Sequence, residues 1–280
     1  MLIQLILVDN DSGRTAARMG RGPEQILGGG AAERLRSVGH QVETIRVESR
    51  DAFPLEIATG FELARSLARQ VRMATRQRRF PIVLAGNCLA SLGVVAGYPP
   101  GRTGLVWLDA HADLQTPETT ASGFLDGMAL ATILGLCWTR LATSLQGFRP
   151  VSAPDVLLLG ARDLEEAELR RIEDLGIYWR DARGLRGDYA GVRAALEELG
   201  SRVDHVHLHV DLDVLDPEAV APANAFAAPD GLRLEEVIGL VGDVHALGLG
   251  SVTLSSYDPA ADPEGRIVDA AISILEAICR

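Results

Sequence analysis

Short runs of apolar residues alternate along the chain with longer stretches in which apolar positions return at the helical period. The runs are LIQLILV (2–8), HQVETIRV (40–47), FPIVLAG (80–86), TGLVWLDA (103–110), DVLLLGA (155–161), VHLHVDLDV (206–214) and SVTLSSY (251–257). All are of strand length. Between them, ELARSLARQVRMA (62–74), AELRRIEDL (167–175) and LEEVIGLVGDVHAL (234–247) gather their apolar residues on one side of a helix. Alternation of this kind predicts the α/β class, with a mainly parallel sheet covered by helices on both faces. No Pro, Gly or Ser linker and no short repeat divides it, so residues 1–280 are expected to form one domain. In such sheets ligands bind beyond the carboxyl ends of the strands.

Two strand ends carry the strongest chemistry. Asp109-Ala110-His111-Ala112-Asp113 follows GLVWL directly, and an extended segment would turn all three ligand-type side chains to one face. Alone, it is equally a polar loop that satisfies its own backbone. His207, His209, Asp211 and Asp213 alternate through VHLHVDLDV, with Asp216-Pro217 as a following turn. If the two ends converge, four carboxylates raise one another's pKa unless a cation neutralises them. Oxygen ligands with one imidazole suit Mn²⁺ better than a structural Zn²⁺. Two ions fit the ligand count.

Composition narrows the alternatives. Hydrophobic residues at 47% and charged residues at 23% are ordinary for a globular protein. A net charge of −11 without a basic block speaks against nucleic acid, and no apolar run is long enough to span a bilayer. The amino terminus lacks a basic leader and reads as a first strand, which predicts a cytoplasmic protein. Cys88, Cys137 and Cys279 are odd in number and dispersed, against a disulfide framework. Lysine is absent, which removes Schiff-base chemistry and the phosphate-loop lysine.

DAHAD, its spacing to Ser122-Gly123 and Gly127-Met128, the run DLDVLDP, Gly160-Ala161-Arg162-Asp163, the early GRGP (20–23) and the late Asp258-Pro259 together resemble the arginase, agmatinase and formiminoglutamase superfamily over nearly the whole chain. The resemblance implies a three-layer α/β/α sandwich, a homo-oligomer, and two Mn²⁺ ions that activate water for attack on a guanidino or amidino carbon of a small molecule. It also implies metal roles: Asp109 and Asp211 bridging the ions, Asp113 completing one site, and His111 with Asp213 completing the other. Gln115, Thr120 and Ser122 fall where arginases contact an amino-acid head group, and Glu165 replaces an acidic contact to the α-amino group.

The departures from that pattern bear on substrate. The usual GGDHS is Ala85-Gly86-Asn87-Cys88-Leu89, so Cys88 stands where a histidine ligand is expected. Cys88 is either a thiolate ligand, favouring Zn²⁺, Co²⁺ or Fe²⁺ over Mn²⁺, or a small buried apolar residue. Asp126 replaces a proposed proton-shuttling histidine, with Phe124 two residues earlier; it can move protons or cap the helix beginning near Gly127. His209 offers a substitute imidazole, or a supporting histidine behind the metals. Ser256 stands where arginase and agmatinase relatives carry a glutamate that grips the guanidinium. Loss of such a partner costs about 3–5 kcal/mol when the charge is buried. Ala225-Phe226-Ala227 replaces the usual Gly-Thr-Pro.

The expected function is therefore a binuclear metallohydrolase that cleaves a carbon–nitrogen bond of guanidino, amidino, formimino or amide type, in a small polar substrate other than arginine. A catalytically silent relative that binds a ligand or stabilises a partner, and a mononuclear zinc amidohydrolase, are the alternatives.

Overall fold

A computed structural model describes residues 1–49 and 55–280. Its strands are β1 (Leu2–Val8), β2 (Asn10–Asp11), β3 (Arg14–Thr15), β4 (Gln41–Arg46), β5 (Phe80–Ala85), β6 (Thr103–Leu108), β7 (Val156–Gly160), β8 (Tyr178–Asp181), β9 (His205–Asp211) and β10 (Leu249–Ser255). Eight of them form one sheet in the order β4-β1-β5-β10-β9-β6-β7-β8, and every ladder in it is parallel. The other two, β2 and β3, make a small antiparallel hairpin. All seven expected runs are strands of the sheet. The eighth, β8, lies at an edge with every residue half-buried, and YWRD carries no apolar alternation to announce it.

Strand pleating sends alternate residues into two cores. Val106 and Leu108 of β6 join Leu208 and Val210 of β9 beneath helices Ala31–Ser37, Tyr189–Arg202, Leu234–His245 and Arg266–Ile278. Leu105 and Trp107 face the other way, toward helices Glu56–Arg76, Ala90–Gly97 and Glu166–Leu175. The result is the expected three layers. His207 and His209 share the second face, and the His209 ring stacks on Trp107 with centroids 3.6 Å apart.

Three loops interlock at the carboxyl edge of the sheet. A Cβ on Gly86, just past β5, would run into the Asn10 carbonyl oxygen and the Gly20 backbone. One on Gly22, where helix Gly22–Gly28 begins, would strike the Tyr257 carbonyl oxygen beyond β10. The glycines of GRGP are needed for this close approach of backbones.

Candidate metal centre

The site lies where β5, β10, β9 and β6 end side by side. Asp109 follows β6 directly, Asp211 closes β9, Cys88 stands three residues past β5, and Ser256 follows β10. Among the described residues two clusters of ligand atoms arise: Cys88, Asp109, His209 and Asp211 in one, and Asp109, His111 and Asp213 in the other, with each set lying within 4.8 Å of one another. Asp109 belongs to both. That sharing is what a residue bridging two ions would show.

The backbone reaches this arrangement differently from the extended course expected of DAHAD. β6 stops at Leu108, and Asp113 sits in the left-handed region at φ 53, a conformation Asp tolerates better than most residues. β9 likewise stops at Asp211, and Leu212–Val214 is a 3-10 turn whose Asp213 N–H donates to Asp211 Oδ1 at 3.0 Å. The carboxylates converge through turns; strand alternation is not what aligns them. Trp107 Nε1 donates to Asp109 Oδ2 at 3.0 Å, and Asn224 Nδ2 donates to Asp213 Oδ2 at 3.2 Å and to the Ser256 carbonyl at 2.8 Å. Ser256 is itself left-handed, at φ 66.

Electrostatics identify what the site is built to hold. Burial pushes Asp109 up to about 6, and raises Asp113 and Asp211 well above the usual carboxylate range, with neighbouring carboxylates adding to the shift. Burial also opposes charge on Asp213 and on His111. It is outweighed in both cases by their mutual attraction, which lowers Asp213 and raises His111, whose Nδ1 lies 3.4 Å from Asp109 Oδ1 and from Asp213 Oδ2. Asp113 belongs to neither tight cluster, yet its buried Oδ2 has no hydrogen-bond partner among the described residues. An orphaned oxygen among repelling carboxylates fits a divalent cation, and these residues could hold two. Cys88 is 2% exposed; its thiol donates to Asp211 Oδ2 at 2.9 Å, and burial, then Asp126 and Asp211, push its pKa well up. Only a bound cation would ionise it there.

A cavity of about 280 Å³ opens onto the cluster. Among the expected site residues, Cys88, His111, Asp113, Gln115, Ser122, Asp126, Glu165, Asp211, Asp213 and Ser256 line it. Gln115 Oε1 is buried without a partner. Thr120 is turned into its own loop, where its hydroxyl accepts from Gly123 N–H at 3.0 Å, and Ser122 accepts from Phe124 N–H at 3.1 Å. Ser256 Oγ lies 3.2 Å from Cys88 Sγ, deep against the carboxylates. Asp126 is not a helix cap: it is the first residue of the 3-10 turn Asp126–Met128, whose capping position is Leu125. Its carboxylate accepts from Leu89 N–H at 3.2 Å and Asn87 Nδ2 at 2.9 Å, and burial lifts its pKa to about 7. His209 is fully buried beneath the cluster, and burial depresses its pKa well below the usual value. Phe124 and Phe226 form the rim, their rings 5.9 Å apart and tilted by 31°.

Sequence reasoning overlooked three supports. Glu168 accepts from the N–H groups of Leu114 and Glu165 and so ties helix Glu166–Leu175 to the DAHAD loop. Asn224, in the loop after β9, makes the bonds to Asp213 and to the Ser256 carbonyl described above. Arg162 reaches the carbonyls of Asp213 at 3.0 Å, Ala228 at 2.6 Å and Pro229 at 2.7 Å, which pins the turn after β9. A larger cleft of about 590 Å³ opens at the opposite ends of the strands, around Tyr98 and Arg102; its one buried carboxylate, Asp155, is paired to Arg102 at 2.7 Å, so it offers no free ligand.

The sequence model of the arginase family matches residues 3–279. An arginase of Bacillus caldovelox is 30% identical across 99% of this chain and 97% of its own length. One from Agrobacterium fabrum is 34% identical across 72% of this chain and 64% of its own. The crystal structure of an arginase from Bacillus subtilis superposes with a TM-score of 0.90 at 26% identity, covering 100% of this chain and 98% of that one. A formimidoylglutamase from the same species shares the fold at a TM-score of 0.80 and 16% identity, over 99% and 86%. With its eight-stranded parallel sheet and its carboxylate-rich edge, the chain belongs to the arginase family.

Proposed function

We propose that this protein is a binuclear metal-dependent hydrolase that cleaves a carbon–nitrogen bond in a small polar substrate other than arginine. The observation that carries the reading is the convergence of four buried aspartates and His111 on a cavity open to a small molecule. Such costly carboxylates are hard to reconcile with a silent scaffold. Asp109, His111, Asp113, Asp211 and Asp213, with Cys88, would hold two divalent ions, Mn²⁺ being favoured where oxygen ligands dominate. Bound there, the ions supply Lewis-acid polarisation of the scissile group and lower the pKa of water.

The chain's own residues do the rest. Asp126 faces the cavity, and burial raises its pKa, so it is the group placed to deliver a proton to the leaving nitrogen. His209, the other group considered for this step, is fully buried, which leaves Asp126 better placed. Gln115 Oε1 accepts from a substrate N–H, and Glu165 with Ser122 bounds the polar end. Ser256 puts a hydroxyl, in place of a carboxylate, beside the metals, while Phe124 and Phe226 offer apolar faces to a planar group. A neutral amide, amidine or formimino group suits that pocket better than a guanidinium. The chain acts as one catalytic domain, in the cytoplasm and as a homo-oligomer; sedimentation at micromolar protein giving only monomer would refute the last point.

The test is elemental analysis of the purified protein, followed by a screen for urea and ammonia release over guanidino, amidino, formimino and amide compounds. Turnover of a compound other than arginine is expected. Arginine hydrolysis at rates normal for an arginase would overturn the substrate reading, and protein loaded with two ions that hydrolyses nothing would overturn the enzymatic one.

A further inference from the structure

His209 takes its place from a buried chain of hydrogen bonds whose direction can be worked out proton by proton. The Tyr98 hydroxyl donates to the Val206 carbonyl at 3.2 Å. Its one proton being used, the 2.5 Å contact between Tyr98 and Ser251 takes the Ser251 proton. Ser251 Oγ must then accept from His207 Nδ1–H, at 2.8 Å. That tautomer leaves His207 Nε2 bare, and it accepts from the Ser91 hydroxyl at 3.1 Å, nearer than Thr253 Oγ1 at 3.4 Å. Ser91 Oγ in turn accepts from His209 Nδ1–H at 2.9 Å. The tautomers are assigned from these contacts. They leave the lone pair of His209 Nε2 without a strong donor. Ser255 Oγ stands 3.4 Å away, beyond a normal hydrogen bond, and the same oxygen is 3.4 Å from Cys88 Sγ.

The bare nitrogen thus looks into the cluster formed by Cys88, Asp109 and Asp211. We propose that His209 is a metal ligand, completing with Cys88, Asp109 and Asp211 a nitrogen- and sulfur-containing site that selects Zn²⁺, Co²⁺ or Fe²⁺ over Mn²⁺, beside an oxygen-rich site around Asp109, His111 and Asp213. This rests on the binuclear reading above and assigns the two halves of the centre different metals. Three features support it. An imidazole that donates its other N–H to a fixed acceptor is the usual form of a histidine ligand, and Ser91 is that acceptor. Stacking on Trp107 holds the ring plane. A thiolate with an imidazole and two carboxylates is a donor set that soft and borderline ions prefer, whereas His111 with carboxylates suits Mn²⁺. His209 on β9 and Cys88 beyond β5 stand two strands apart, with β10 between them, and still meet in one cluster.

Full-length protein stripped of metal and titrated with Co²⁺ provides the test. One of two equivalents should show intense low-coordinate cobalt absorption with a sulfur-to-cobalt charge-transfer band. Cys88→Ser should abolish that band, and His209→Gln should weaken this equivalent at least about a hundredfold while the other keeps its affinity. Zn²⁺ should displace Mn²⁺ from one site only. Should His209→Gln fail to fold, wild-type protein labelled with ¹⁵N-histidine gives the answer, because on Zn²⁺ loading two of the six histidines, His111 and His209, should shift their ring nitrogens. Two bound ions with only His111 shifted, or a His209→Gln protein with unchanged affinity and spectrum, would overturn this inference alone. Failure to bind any divalent ion would overturn it together with the binuclear reading.

Discussion

Removing the metal should lower the melting temperature, by an amount that follows from the ligand count. Each ion that binds the folded chain and not the unfolded one contributes about 2.7 kcal/mol when its free concentration is about a hundred times its Kd. A chain of 280 residues unfolds with an entropy near 0.6 kcal/mol per kelvin, so one ion shifts the midpoint by about 5 °C and two by about 9 °C. The structure gives the sign: without cations, buried Asp109, Asp113 and Asp211 must keep protons or repel one another. Melting curves recorded after chelation, and again at stepped Mn²⁺, Co²⁺ or Zn²⁺, check both the size and the two-step course. A curve indifferent to chelator, in protein that contains no metal by elemental analysis, would refute the whole site assignment.

Asp109→Asn should strip both ions, because Asp109 is common to the two ligand clusters, whereas Cys88→Ala should release one; metal stoichiometry after gel filtration separates these outcomes. In metal-free protein, folded-state pKa values of about 7 for Asp126 and about 6 for Asp109 lie above their unfolded values, so the stability these two groups contribute is full below about pH 4 and is lost as pH rises through 6 to 7. Denaturant melts across that window should show the decline, Asp126→Asn should make it shallower, and a flat wild-type profile would contradict the burial argument. The pair Ser256→Glu and Asp126→His, both at the cavity wall, should raise hydrolysis of arginine or agmatine in a urea-release assay; no gain in a variant that still binds both ions would remove these positions from the specificity argument.

How legible the site was in the sequence depended on the distance over which each residue acts. Asp109 and Asp211 were readable because each directly ends an apolar run, and the end of a run marks the edge of a parallel sheet. Asp113 and Asp213 were assigned to the site by a wrong local argument: alternation was invoked, but the turn at φ 53 and the 3-10 turn after β9 bring them in. Asn224 and Arg162 were beyond reach, since the partners that tie them to the site, from Asp213 to Pro229, lie between 11 and 67 residues away along the chain. β8 was missed because YWRD at a half-buried edge has no apolar periodicity to detect. His209 was seen as a chemically capable imidazole. Which of its nitrogens is bare depends on Tyr98, Ser251, His207 and Ser91, a relay no local pattern reveals.

The meshing of the loops at Gly20, Gly22 and Gly86 limits how this scaffold can be re-engineered. Because a Cβ at residue 86 would meet the backbones of Asn10 and Gly20, and one at residue 22 the backbone of Tyr257, these segments cannot be randomised one at a time. A library that varies position 86 while holding residues 10 to 22 fixed will force every side chain placed there against the Asn10 carbonyl oxygen. Diversity placed at Phe124, Phe226 and Gln115, whose side chains face the cavity without such backbone contact, leaves the interlock untouched. New substrates are therefore easier to reach from the rim than from the floor of the site.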